Sequence, residues 1–422
     1  PTPTFDAPAE VAKFKKYLAG VEAKLGDVKF VGGELIPNTV PAAAKVAARL
    51  GDGDADAVIL VHLSFGSGQP LLKLVDAGLP TAIFSQPFSG HDWMYVPQWQ
   101  KAGKNVILLT SSDYGELERA AALLRVPVRL RKSRIIVVGR AKGTAPACSA
   151  EKVRQCLGAE VVPISQKQIA AAHKAVAPKA AEAEAKQYWI RQAKKIIEPS
   201  RTAIINSARL YLAIKDIMIK ERAHAITSSH CMGAPAKCCL TFSKLNDLGL
   251  VGACEGDIDS TLTMLIFSYA FGVPGFISDP LFDTSKNAVI HAHCTSTTKL
   301  DGPNGERAPF LIRTQCDSNA GVSLEVQMRV GQEITCAKLV NLDTMLVSGG
   351  KIIEITDFHD RGCRTQITTE VPNSRKMVHN WGSGVLGDDM MTLLHRVVFY
   401  GDRLDSTKDI AVLMGLKLVE EG

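Results

Sequence analysis

The sequence predicts an α/β protein with two doubly wound α/β domains followed by a C-terminal antiparallel β-sheet or β-barrel-like domain. Three observations carry this reading. Apolar, strand-like runs alternate with helical patterns up to about residue 285. The alternation restarts near residue 132, where the basic segment RLRKSR leads into IIVVG. Beyond residue 285 the apolar period changes to two. The expected domains are therefore 1–131, 132–285 and 286–422, and 422 residues at 46% hydrophobic content provide enough apolar surface for several cores.

In the first domain the runs VKFVGG, DAVILVHLSFG, PTAIFSQPF and KNVILLTSS read as strands of a parallel sheet covered on both faces. The second repeats the pattern with IIVVG and AEVVPIS, an Ala, Lys and Glu-rich helix from about 176 to 197, a helix from about 201 to 219, and the strand AHAITSS. The stretch GACEGDIDS, residues 252–260, follows. LVGAC reads as a short buried strand, and from Asp257 a helix begins with Ile258, Leu262, Leu265, Ile266 and Tyr269 on one face. Asp257 and Asp259 fall in its first turn, where negative charge meets the positive end of the helix dipole. Gly272, Pro274 and Gly275 stop the helix, and GFIS leads to Asp279-Pro280. Read as a βαβ unit, this places Glu255 and Asp279 at the C-terminal ends of neighbouring parallel strands, the edge at which open α/β sheets bind ligands. In the last domain VSLEVQMRV alternates as a half-buried antiparallel strand. Gly349-Gly350 reads as a hairpin turn between TMLVS and KIIEIT, and a final helix is expected near 405–416.

Several functional classes are disfavoured. The formal charge of +6 is scattered, so no basic stripe for nucleic acid exists, and the balance mildly favours an anionic small molecule. The longest apolar stretch, Ser260 to Ile277, is interrupted by Tyr269, Gly272, Pro274 and Gly275, which argues against a membrane span. The N-terminal residues contain no apolar core of the secretory kind. Ten cysteines include no C-x-x-C pair, and Cys231, Cys238 and Cys239 do not have zinc-site spacing, so reduced thiols in a cytoplasmic protein are expected. The glycine-rich FGSGQP and GRAKGTAP match neither a dinucleotide fingerprint nor a Walker motif and read as βα turns.

The chemistry points to a cation. Two converging carboxylates with no Lys or Arg beside them in sequence repel unless a proton or a metal sits between them. His291 and His293 alternate along AVIHAHC, His395 opens HRVVFYG and His379 lies in MVHNWG. A mixed carboxylate and imidazole set suits manganese or magnesium better than a closed thiolate site. Candidate pocket residues are His91 and Trp93 in SGHDW, where the aromatic either stacks on a sugar or packs, and Arg364 in GCRTQ, which either holds an anionic substituent or pairs with an acid.

The segment CCLTFSKLNDLGLVGACEGDIDSTLTMLIFSYAFGVPGFISDP, with VIHAHC and HRVVFYGD, resembles the fucose isomerase and arabinose isomerase group of aldose-ketose isomerases, over about 200–300 and 360–402. The resemblance implies a metal held by Glu255, Asp279 and His395, with His293 the added histidine of the arabinose isomerase pattern and His379 a rival to His395. It implies Mn2+ (or Mg2+ or Co2+) as cofactor and a monosaccharide substrate, anionic or deoxy sugars included, with His379 and Asn380 of the HNWG motif near it. It also implies proton transfer between C2 and C1 by Glu255 and Asp279 on either side of an enediolate that the metal stabilises. The assembly implied is a homo-oligomer, a trimer or hexamer, in which a neighbour's first domain helps close the active site. Leu394 stands where fucose isomerases commonly carry Asn, and the chain is shorter than those enzymes. Two alternatives remain beside isomerisation: a non-catalytic sugar-binding or regulatory protein, and an epimerase or lyase on the same scaffold.

Overall fold

The computed structural model describes residues 4–53, 55–63, 68–231, 233, 235–359, 361–385 and 391–422, with positions 391 and 392 described for backbone only. The chain separates into two compact units, one of residues up to 129 with 405–417, the other of 130–404 with 418–422.

In the first unit three parallel strands, Val58–His62, Thr81–Ser85 and Val106–Thr110, lie side by side in sequence order. With no reversal of strand order this sheet is not doubly wound, which corrects the expectation for this part of the chain. The expected first strand, VKFVGG, does not form. Val31 remains exposed and Gly32 and Gly33 adopt φ of 84° and 85°, so the run neither buries its apolar residues nor extends. Of the loop FGSGQP, positions 65–67 lie outside the described residues; the helix Gln69–Val75 follows.

The second unit contains a four-stranded parallel sheet in the spatial order Glu160–Ile164, Arg134–Val138, Ala225–Ser228, Val251–Ala253. The chain enters at an inner strand and winds first one way and then the other, so this sheet is doubly wound. The Ala-rich segment is shorter than expected as an α-helix: Pro178–Glu184 passes into a wider turn at Ala185–Ile190, where Trp189 is fully buried.

A closed antiparallel barrel of six strands follows, in the order Glu333–Val340, Arg396–Tyr400, Phe276–Asp283, Ala288–His293, Thr365–Glu370, Thr344–Ile355, with the last pairing back to the first. The expected βαβ unit is therefore corrected. Val251–Ala253 ends the parallel sheet, whereas Phe276–Asp283 pairs antiparallel with Arg396–Tyr400 and Ala288–His293. A short apolar run after a helix suits a buried strand of either sheet, and the barrel offers it partners on both edges. The helix Ile258–Phe271, ended by Gly272 in the left-handed conformation, carries the chain from one sheet to the other.

Two further expectations change. The hairpin turn is at Asn341–Asp343, with Asn341 and Leu342 at positive φ, and Gly349-Gly350 lies inside a continuous strand. A Cβ on Gly350 would sit 2.8 Å from the Glu370 carbonyl oxygen, so the glycine permits close strand approach at the barrel corner. The strand Ala320–Val326 is buried on both faces, because Glu325 pairs with Arg313 at 2.8 Å. The last helix runs Leu404–Met414. No helix among the described residues is long and apolar enough to cross a membrane.

Arg396 and Glu421, both with no exposure, form a buried ion pair through two guanidinium nitrogens. The Glu421 carboxylate also accepts the Gly382 N–H at 2.9 Å, and the guanidinium lies 3.9 Å from the Trp381 ring centroid. Glu421→Ala would strand a charge at zero exposure, and a loss of about 3–5 kcal/mol in chemical denaturation is expected; a loss below about 1 kcal/mol would show the pair to be dispensable.

Candidate metal centre

Glu255 sits where the parallel sheet hands over to the helix. Its φ is 62°, in the left-handed region, and Gly256 follows at 79°. A non-glycine residue held there is strained, and such strain concentrates at functional sites. The turn is gripped by the loop at 139–146: Lys142 N–H donates to the Gly256 carbonyl at 2.8 Å, and Ile258 N–H donates to that of Lys142 at 3.1 Å. Gly143, at φ 120°, leaves no room for a Cβ, which would lie 2.5 Å from Asp259 Oδ2. The glycine-rich GRAKGTAP loop is thus a bracket for the acidic turn.

Asp257 stands just before the first turn expected to contain it and caps the helix, accepting the Ser260 N–H at 2.9 Å. It also accepts from Ser260 Oγ and from His395 Nδ1, and Lys338 Nζ approaches Oδ2 to 3.2 Å. Burial opposes its charge, yet Lys338 and His395 hold the carboxyl far below the usual range. Asp257 is then only an acceptor, so Nδ1 of His395 carries the proton at 2.9 Å. The other nitrogen, Nε2, faces away from Asp257 and becomes a ligand once its proton leaves.

Barrel register supplies the rest. Arg396 pairs with Ser278, so the next position places His395 opposite Asp279, while Asp279 pairs with Ala292 on its other side. His395 Nε2 lies 3.3 Å from Asp279 Oδ1 and 4.0 Å from Glu255 Oε2. It is buried and makes no well-formed hydrogen bond. Asp279, His293 and His395 offer ligand atoms within 4.8 Å of one another, as do Cys254, Glu255 and His293. The His293 and His395 rings are 5.6 Å apart. A buried imidazole nitrogen facing two carboxylates without hydrogen bonding is a donor set that fits a divalent cation.

Without a cation, protons take its place. Burial disfavours a charged His395, but the hydrogen bond to Asp257 and the nearby Asp279 carboxylate prevail and raise it to about 9. Burial and the Asp257 charge push Asp259 up to about 7, while its carboxylate accepts from the Thr144 N–H and hydroxyl. Asp279 is held below its usual value: burial works against ionisation, and His395 and His293 outweigh it. Metal binding at His395 would displace a proton.

The remaining candidates separate. His291 is a satisfied core histidine, 2.9 Å from Ser278 Oγ, with its pKa lowered to about 3 by burial and then by Arg396. His379 is exposed on the helix Ser374–Asn380, whose last residue is Asn380, and is not among the groups placed to share a cation. Arg364 is buried and donates to the Thr314 carbonyl and hydroxyl and to the His359 carbonyl. His91 and Trp93 belong to the first unit, where Trp93 is 59% exposed. Between them Asp92 is buried and meets His62 Nδ1 at 2.7 Å, a pair that sequence spacing does not reveal. Asp257, Lys338 and the Arg396–Glu421 pair were missed as supports for the site; Arg396 also donates to the His395 carbonyl at 2.8 Å. Lys338 lies among apolar residues in the strand Glu333–Val340, and nothing local in the sequence ties it to Asp257. A groove of about 610 Å³ lined by Lys132, Arg134, Lys215 and Arg222 lies at the amino-terminal edge of the parallel sheet, opposite Glu255.

No protein-family model matches the chain. Among curated proteins it is similar to a sulfoquinovose isomerase of Clostridium sp. (strain MSTE9), with 30% identity over 159 residues. The match covers 34% of this chain and 33% of that protein, so it spans about a third of the relative's length.

Two outcomes follow from this geometry. In the metal-free chain Glu255→Gly should be about 1 kcal/mol more stable than Glu255→Ala in urea unfolding, because only glycine accepts φ 62° without strain; equal stabilities would remove the strain argument. Asp257→Asn keeps a helix-capping oxygen but loses the charge that orients His395. Manganese affinity should fall about 10–100-fold by titration calorimetry, with helix content by circular dichroism unchanged.

Proposed function

We propose that the chain is a metal-dependent aldose-ketose isomerase that moves a proton between C2 and C1 of an open-chain monosaccharide through an enediolate. The observation that carries the reading is His395 Nε2, buried without a hydrogen bond and facing Asp279 and Glu255. The likeness to a sulfoquinovose isomerase supports the reaction class. Glu255, Asp279 and His395 hold the cation, with His293 beside them, and manganese, magnesium or cobalt suits these ligands. A bound cation would supply Lewis acidity toward two adjacent sugar oxygens.

The protein's own groups handle the proton. Asp279, kept ionised by His395 and His293 against the effect of burial, is an anion ready to accept one. Glu255 and Asp279 approach the same imidazole nitrogen from different sheets, which suits an acid and base working on one substrate. Asp257 orients His395, and Lys338 offsets the local excess of negative charge. Sugar recognition by Arg364, His379 and Asn380, a separate sugar-contacting role for His91 and Trp93 of the first unit, and a homo-oligomeric assembly belong to the same reading.

The test is deuterium uptake at C2, followed by NMR, for neutral, deoxy and anionic aldoses including sulfoquinovose, with and without added manganese. Metal-dependent uptake with ketose formation is expected. Uptake without ketose would redirect the assignment to an epimerase or lyase, and no uptake with no metal retained would leave a sugar-binding protein. Glu255→Gln and Asp279→Asn should each lower turnover on the order of 10²–10⁴-fold; full turnover in either would remove that residue from the proton path.

A further inference from the structure

Three cysteines far apart in sequence meet in the second unit. Cys294 follows the strand Ala288–His293, Cys316 follows Phe310–Gln315, and Cys363 stands just before Thr365–Glu370. Cys316 Sγ is 3.8 Å from Cys294 Sγ and 3.3 Å from Cys363 Sγ, and all three sulfurs lie within 4.8 Å of one another. All are free thiols; Cys294 is buried and the other two are half-buried, so the cluster is enclosed and still reachable.

These separations have a chemical meaning. A disulfide requires about 2.05 Å between sulfurs. Thiolates on one tetrahedral ion, with metal–sulfur bonds of about 2.3 Å, sit about 3.8 Å apart, since the edge of a tetrahedron is about 1.6 times the centre-to-vertex distance. A side-chain donor also lies beside the cluster. Gln315 Nε2 lies 3.5 Å from Cys316 Sγ. Such donors stabilise sulfur ligands from outside the coordination sphere. Arg364 fixes the approach: its guanidinium ties Thr314, two residues before Cys316, to the segment around His359 and Cys363.

We propose that Cys294, Cys316 and Cys363 form a structural zinc site, with water or the Asp317 carboxylate, whose Oδ1 is 3.3 Å from Cys316 Sγ, as the fourth ligand. The site lies outside the proposed catalytic set and shares no ligand with it. Soft thiolates select zinc, while the carboxylate and imidazole set suits a harder ion. On binding, each thiol gives up its proton to solvent and no electron transfer is needed. The ion clamps two barrel strands to the strand Phe310–Gln315, beside His293.

The experiment is a Co2+ titration of the full chain in phosphine reductant, read by near-ultraviolet thiolate-to-cobalt charge transfer, which only sulfur ligation produces. One equivalent should generate the band, and Zn2+ should abolish it by displacement. The Cys316→Ser/Cys363→Ser double variant should lose the band, and Asp279→Asn should keep it. No band in the wild type, or a band that survives in the double variant, overturns the proposal. A readout independent of the variant's folding is alkylation of the wild type by iodoacetamide, mapped by mass spectrometry. Zn2+ should protect Cys316 and Cys363 and a chelator should restore their labelling; equal labelling in both conditions overturns the site. Neither readout depends on isomerase activity.

Discussion

The hydrogen bond from His395 Nδ1 to Asp257 is the constraint on which the rest of the site depends. It fixes the tautomer and the ring orientation of an imidazole with no exposure, and so decides that Nε2 faces Asp279 and Glu255. Asp257 serves this purpose because it is itself immobile. Its carboxylate caps a buried helix, accepts from Ser260 twice and lies against Lys338. A flexible carboxylate would orient nothing, and an unpaired one at this depth would cost several kcal/mol.

From that bond the architecture reads outward. Glu255 comes from the end of a parallel sheet, Asp279 and His395 from adjacent strands of an antiparallel barrel, and the helix Ile258–Phe271 joins the two sheets. The carboxylates therefore approach one nitrogen from different directions, an arrangement a single sheet edge does not provide. The cost appears as local strain at Glu255 and as a loop, 139–146, whose glycine permits contact with Asp259 that a side chain would block. Behind His395 the Arg396–Glu421 pair holds the start of its strand, with Trp381 covering the guanidinium.

The charge balance of this centre suits the proposed cation. Asp257 and Asp279 are kept ionised by their neighbours, while His395 is held protonated to about 9 and Asp259 to about 7. Protons here occupy the electrostatic role that the proposed divalent ion would take, and that ion would compete with the His395 proton for one nitrogen.

Much of this was legible in the chain. Composition and the change of apolar period announced parallel α/β layers and then an antiparallel sheet or barrel, because burial on two faces and on one leaves different periodicities. Glu255 and Asp279 stood out as acids at strand ends, His293 and His395 as histidines of strand segments, and Asp257 as an acid at the start of a helix. What the chain did not reveal were relations between distant segments: the strand Phe276–Asp283 in the barrel and not the parallel sheet, Asp257 and Lys338 behind His395, the glycine loop bracing an acidic turn, and three sulfurs gathered from positions 294, 316 and 363. Periodicity and capping are local and act within a few residues. Which strand pairs with which, and so which donor faces which acceptor, depends on closing the barrel, and only the tertiary structure decided it.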